Sequence, residues 1–171
     1  MKIAIAVAVG GACGALLRES IMAMLQGVLD PWVALLCVNV PGSIAIGLLL
    51  VALELRFHKA GGSALKALPL AEALRYHPGL FEPDPTMPAT ELNSLSGRGK
   101  VWSGLLITGL LGGFTTFSTF SFDLIELLRN GEIAAAAVDA AISFVACVAG
   151  VIAGMSIQIR RAIRCTARTG R

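Results

Sequence analysis

The chain has 171 residues, 56% of them apolar and 15% charged, with a formal net charge of +3. A water-soluble domain needs more polar surface, so this composition excludes one and indicates an integral membrane protein. No nucleophile–base pairing, phosphate loop or nucleic-acid motif is present, so neither an enzyme nor a nucleic-acid binder is expected.

Four apolar stretches, at about 3–25, 32–53, 101–127 and 133–159, each come close to the roughly 20 residues that span a bilayer. We expect an all-α integral membrane protein: one four-helix membrane domain over residues 1–171, with a long polar connection at 56–100 and a basic tail at 160–171. The first stretch follows Lys2 and contains Gly10, Gly11, Cys13 and Gly14. Its apolar part ahead of Cys13 is short for a cleaved signal, and the pattern runs on to Leu29, so the helix is expected to stay. Small residues at four-residue spacing, Gly10 with Gly14 and Gly11 with Ala15, form a close-packing face for another helix or a second subunit. Arg18 lies one turn further on; it either snorkels to the interface or draws anions to an aqueous vestibule.

The second stretch carries Asn39, followed by Pro41, Gly42 and Ser43. An amide in hydrocarbon either bonds a neighbouring helix or offers its NH2 to an anion, and both readings stay open. Pro41 removes a backbone donor and is expected to kink the helix. The connection after it holds His58, His77 and five of the seven prolines, with a possible amphipathic surface helix at 64–76 ahead of an irregular segment.

The third stretch is the most informative, because it crosses the membrane with Gly112-Gly113-Phe114-Thr115-Thr116-Phe117-Ser118-Thr119-Phe120-Ser121. Hydrocarbon offers backbone and hydroxyl groups no water, so such a run packs against protein or lines a solute path. On a helix Phe117 and Phe120 share a face, with Thr115, Ser118 and Thr119 on an adjoining strip. Gly112 and Gly113, with the hydroxyl-rich residues after them, are where the helix is expected to unwind, and a broken membrane helix frees carbonyls for a cation. Two phenyl rings presented edge-on can contact a small anion, since ring edges are electropositive.

Short links near Asp30-Pro31 and at Arg129-Asn130-Gly131-Glu132 make sequential helices antiparallel neighbours. With four spans, both termini and the long connection share one side. That side holds Lys2, Arg56, Lys59, Lys66, Arg75, Arg98, Lys100, Arg160, Arg161, Arg164, Arg168 and Arg171, against Arg18 and Arg129 opposite. Both termini are therefore expected to face the cytoplasm in a multi-pass inner or plasma membrane protein, with the tail on anionic lipid. The four cysteines, Cys13, Cys37, Cys147 and Cys165, lack metal-site spacing and read as small apolar fillers.

The glycine–phenylalanine–hydroxyl run, with Gly14-Ala15-Leu16-Leu17-Arg18 before it and Asn39-Val40-Pro41-Gly42 between, resembles the Fluc (CrcB) family of fluoride channels. The resemblance covers all four spans and implies an antiparallel dual-topology dimer with two fluoride pores and a central structural sodium ion (Na+). It implies that Phe117 and Phe120 contact fluoride with their ring edges, that Asn39 is the pore amide, and that Ser143 is the fourth-span hydroxyl. Thr116, Ser118 and Thr119 would complete the polar lining, Arg18 would stand at the vestibule, and Gly112 and Thr115 would give carbonyls to sodium. The implied function is passive fluoride export that relieves fluoride toxicity.

Three positions depart from the family pattern. Asp139 stands where a tyrosine is usual, Ala34-Leu35 replaces a Gly-Thr pair, and Cys147 takes a small hydroxyl's place, which suggests one degraded polar track. The lopsided charge also suits a heterodimer with a homologous subunit of opposite orientation, although a homodimer stays open. The alternative is a small four-helix proton-coupled transporter with Asp139 as its proton carrier.

Overall fold

The computed structural model describes residues 1–57 and 96–168. Helix α1 spans Lys2–Leu25 and α2 spans Pro31–Phe57. Helix α3 is composite: Gly97–Ser103, a π-wound stretch Gly104–Leu111, and a last turn Gly112–Phe114. Helix α4 spans Phe117–Arg129 and α5 spans Ile133–Arg168. The proposed surface helix at 64–76, with His58 and His77, lies outside the described residues.

Four segments are long and apolar enough to cross a membrane: Lys2–Leu25, Pro31–Phe57, Gly97–Arg129 and Ile133–Cys165. All four extend past the apolar stretches read from sequence. The 36 residues of α5 make a rod of about 54 Å, longer than a hydrocarbon core, so its Arg160, Arg161 and Arg164 end projects beyond the lipid.

Tight turns close one end. Gly27 and Gly131 take φ of +79° and +80°, which only glycine adopts cheaply. At the second turn Gly131 N donates to Leu128 O and Glu132 N donates to Leu127 O, the paired bonds that stop a helix at a left-handed glycine. At the other end Ser96 N donates to Phe57 O, which joins the two ends of the long connection, and the Ser96 hydroxyl caps α3 through Gly99 N.

Sequential helices touch, as short connections require, but they are not the main packing partners. Helix α1 packs chiefly against α3, and α2 against α5. Glycine decides this. A Cβ on Gly10 would strike Leu105 O, one on Gly14 would strike Leu110 O, and one on Gly113 would strike Gly11 O. The second seam repeats the device: a Cβ on Gly47 would meet Val151 O, and one on Gly154 would meet Ile44 O. Lipid tails are as apolar as leucine, so close backbone contact does what apolar burial does in a soluble core. Short turns set helix direction; small residues choose the partner.

Helix α2 is the most enclosed, with Leu35, Val38 and Val51 fully buried. It stays helical through Pro41, which supplies no backbone donor and is exposed.

Candidate functional site: the Thr115–Thr116 segment and its cavity

Between α3 and α4 the backbone of Thr115 (φ −76°, ψ 148°) and Thr116 (φ −138°, ψ 125°) is extended. The sequence placed the unwinding at Gly112, Gly113 and the hydroxyl-rich residues after them; Gly112 keeps helical angles (φ −66°, ψ −32°), and the extended residues are the hydroxyl-bearing ones. The reason is packing, since Gly113 lies against the Gly11 backbone and needs its helical path to do so. The threonines, one step beyond the seam, are the residues that leave the helix. Thr115 therefore does not continue the helical strip of Ser118 and Thr119.

Two peptide groups inside apolar surroundings now need partners, and side chains supply them. Asn39 binds the Thr116 peptide at both ends: Thr116 N donates to Asn39 Oδ1 at 3.0 Å, and Asn39 Nδ2 donates to Thr116 O at 3.3 Å. A carboxamide mimics a strand backbone in this pairing, and one N–H of its NH2 remains for another acceptor. Thr116 Oγ1 caps α4, accepting from Thr119 N at 3.3 Å, and lies 3.1 Å from Ser118 Oγ and 3.2 Å from Thr119 Oγ1. Thr115 Oγ1 donates back to Leu111 O at 2.9 Å.

These bonds have a consequence for the carbonyls. In a continuous helix Thr116 N would bond Gly112 O and Thr119 N would bond Thr115 O. Both N–H groups are diverted, to Asn39 and to Thr116 Oγ1, so the Gly112 and Thr115 carbonyls lose their helical donors. The neighbouring Gly113 O accepts from Arg18 Nη1 at 3.2 Å. Arg18 also pairs with Glu19 at 3.0 Å, so its charge is held at the α1–α3 seam, half-buried.

Beside the extended pair is a cavity of about 290 Å³ lined by Asn39, Thr115, Thr116, Phe117, Phe120 and Ser143 among others. The Phe117 and Phe120 rings stand 5.7 Å apart at 44°, with Phe117 78% exposed toward what surrounds the chain. Gly42 keeps the floor open, since a Cβ there would lie 2.5 Å from Thr115 Cγ2. Ser118 and Thr119 act on the site through Thr116 and do not line the cavity, and neither Arg18 nor Gly112 lines it.

A model of the CrcB-like protein family (Camphor Resistance, CrcB) matches residues 5–155. The chain belongs to the CrcB family. It is similar to a CrcB relative from Rhodospirillum centenum, named fluoride-specific ion channel FluC, at 35% identity over 95% of this chain and 99% of that one. A FluC of Rhizobium leguminosarum bv. trifolii is 33% identical over 91% of this chain and 94% of its own. A FluC of Idiomarina loihiensis is 33% identical over 88% of both chains.

The structure of this CrcB chain also displays residues that sequence reasoning left out. Ser43, 7% exposed, and Phe144 line the same cavity. Asp123 on α4 has a buried Oδ2 without a hydrogen-bond partner, as does Asp139 on α5, and the two carboxylates lie within electrostatic reach. An acid inside an apolar span was the available signal for Asp123. Asp139 is 4% exposed and its Oδ1 accepts from Ser143 Oγ at 3.1 Å.

Proposed function

We propose that this chain is a fluoride-selective channel that lets fluoride leave the cytoplasm passively and so relieves its toxicity, rather than an enzyme. The observation that carries the proposal is similarity along nearly the whole chain to a relative named a fluoride-specific channel. Fluoride is small and strongly hydrated, so a path through lipid must replace its water with donors already in place. The 290 Å³ cavity is lined by groups of this kind: Asn39, which keeps one N–H to spare, and the rings of Phe117 and Phe120, with Ser143 beside them, its proton given to Asp139. Preorganised donors of this kind are not reoriented as the ion passes.

The extended threonines are taken as a break in the third span. The Gly112 and Thr115 carbonyls, deprived of helical donors, fit a structural sodium ion, since hard cations prefer neutral oxygens and irregular membrane backbone supplies them. Two carbonyls are half a shell, and the same pair from a second subunit would complete it. Phe117, 78% exposed here, would be covered in that assembly. An antiparallel dual-topology dimer follows, either of two copies or with a homologous subunit of opposite orientation. The Lys and Arg excess on one side favours the second arrangement and places both termini in the cytoplasm. Lipid contacts its outer faces, and its basic tail meets anionic headgroups.

Efflux of trapped fluoride from proteoliposomes, read with a fluoride electrode, tests the proposal. Wild-type protein should release fluoride without a proton gradient, and Phe120→Ile should abolish release while leaving the protein monodisperse. A second reading, proton-coupled transport, is favoured by the buried unpartnered Oδ2 of Asp139. It requires flux that stops when the proton gradient is removed.

A further inference from the structure

Ser143 lines one cavity, and Asp139, the residue it bonds, lines another. The first is the 290 Å³ cavity with Asn39, Phe117 and Phe120. The second, between the two tight turns, is a cavity of about 360 Å³ lined by Asp30, Trp32, Glu132 and Asp139. A serine hydroxyl carries one proton and can donate it once. In this structure that proton goes to Asp139 Oδ1, away from the anion path.

We propose that Asp139 is a positioning residue for the anion path, holding the Ser143 hydroxyl out of the cavity when ionised and releasing it when protonated. This rests on the reading of that cavity as the fluoride route. Protonated Asp139 can donate to Ser143 Oγ, which turns the serine proton toward the cavity and removes a negative charge next to it. The second oxygen, Oδ2, is buried with no hydrogen-bond partner among the described residues.

Among the described residues, the charged groups that line the Asp139 cavity or act on its neighbour Asp123 are all acidic. The turns contribute Asp30 and Glu132 to its cavity, and α4 contributes Asp123, whose own Oδ2 is unpartnered and which Glu126 also influences. Helix α2 offers Trp32 there and no charge, and Arg129 does not line the cavity. Protons reach Asp139 from water in the acidic cavity, whose carboxylates concentrate cations and repel fluoride.

The test is fluoride efflux against pH from proteoliposomes of wild type, Asp139→Asn, Ser143→Ala and Phe120→Ile, with the leak of empty vesicles subtracted. Wild-type flux should fall as pH rises, by about tenfold per unit once Asp139 is mostly ionised. Asp139→Asn, whose amide donates to Ser143 at every pH, should match or exceed the fastest wild-type rate and show no slope. Ser143→Ala should be slow and flat. A wild-type slope that survives in Ser143→Ala would show that charge alone sets the rate, and overturns the assignment. Phe120-dependent flux that is flat in wild type also overturns it while leaving the channel intact. Absence of any Phe120-dependent flux, at any pH and in every variant, sinks both. Should Asp139→Asn fail to fold, the wild-type and Ser143→Ala profiles decide between the same outcomes.

Discussion

The seams where α1 meets α3 and α2 meets α5 are built from glycine against backbone, with Arg18 adding one side-chain bond to Gly113 O at the first. A few residues beyond Gly113, at Thr115 and Thr116, the chain abandons helical bonding and borrows an amide and a hydroxyl from elsewhere. The contrast separates two problems in a membrane. Proximity is solved by removing side chains, and polarity by supplying a partner for every group the helix releases. The seams should therefore fail by collision, and the extended segment by unsatisfied hydrogen bonds.

Collision should have the larger effect. Gly14→Val places methyl groups where Leu110 O already sits, in a contact of two backbones that neither can yield. Overpacking of this kind typically costs about 1–3 kcal/mol, and rigid backbone neighbours push it to the top of that range or beyond. The expected outcome is little or no monodisperse protein in detergent. Recovery of wild-type amounts with an unchanged melting temperature would remove the seam from this account.

Next is the amide. Asn39→Leu keeps the size but strands Thr116 N–H and C=O, each worth roughly 1–3 kcal/mol when buried without a partner. Folded protein should survive with a lowered melting temperature, and fluoride flux should fall by about tenfold or more, because the extended path is no longer fixed. Thr116→Val is milder. It removes the cap on α4 and the link to Ser118 and Thr119, at about 1 kcal/mol, while the Asn39 clamp remains. Its melting temperature should fall between wild type and Asn39→Leu.

The sequence disclosed the four spans because each needs a long uninterrupted apolar run, and it disclosed the candidate site because hydroxyls and an amide are conspicuous in such runs. It left open which helices pack most closely, since a turn reports direction only, whereas the partner depends on which glycine face meets which backbone. It put the unwinding at the glycines as well as at the hydroxyl-rich residues after them, and only among the latter is the backbone extended. Gly113 is flexible in isolation, but its contact with Gly11 holds it in the helix, and that contact joins residues about a hundred positions apart. For Asn39 the sequence left open a bond to a neighbouring helix or a donor to an ion; it clamps Thr116, with one N–H to spare. Asp123 passed unnoticed because its meaning depends on Asp139, a neighbour on another helix.

The smallest expected effect concerns two departures that look alike in sequence and differ in space. Leu35 and Cys147 both stand where the family pattern has a small polar group, and together they suggested a degraded track. Cys147 lines the cavity beside Ser143, whereas Leu35 is 1% exposed and does not reach it. Cys147→Ser should therefore add a usable donor and raise fluoride flux by about two- to threefold, a change of less than 1 kcal/mol. Leu35→Thr should bury a hydroxyl among apolar neighbours and lower the melting temperature, with no gain in flux. Equal gains from both would mean that the track runs through the α2 core, and that the cavity at Thr116 is not the sole route for the ion.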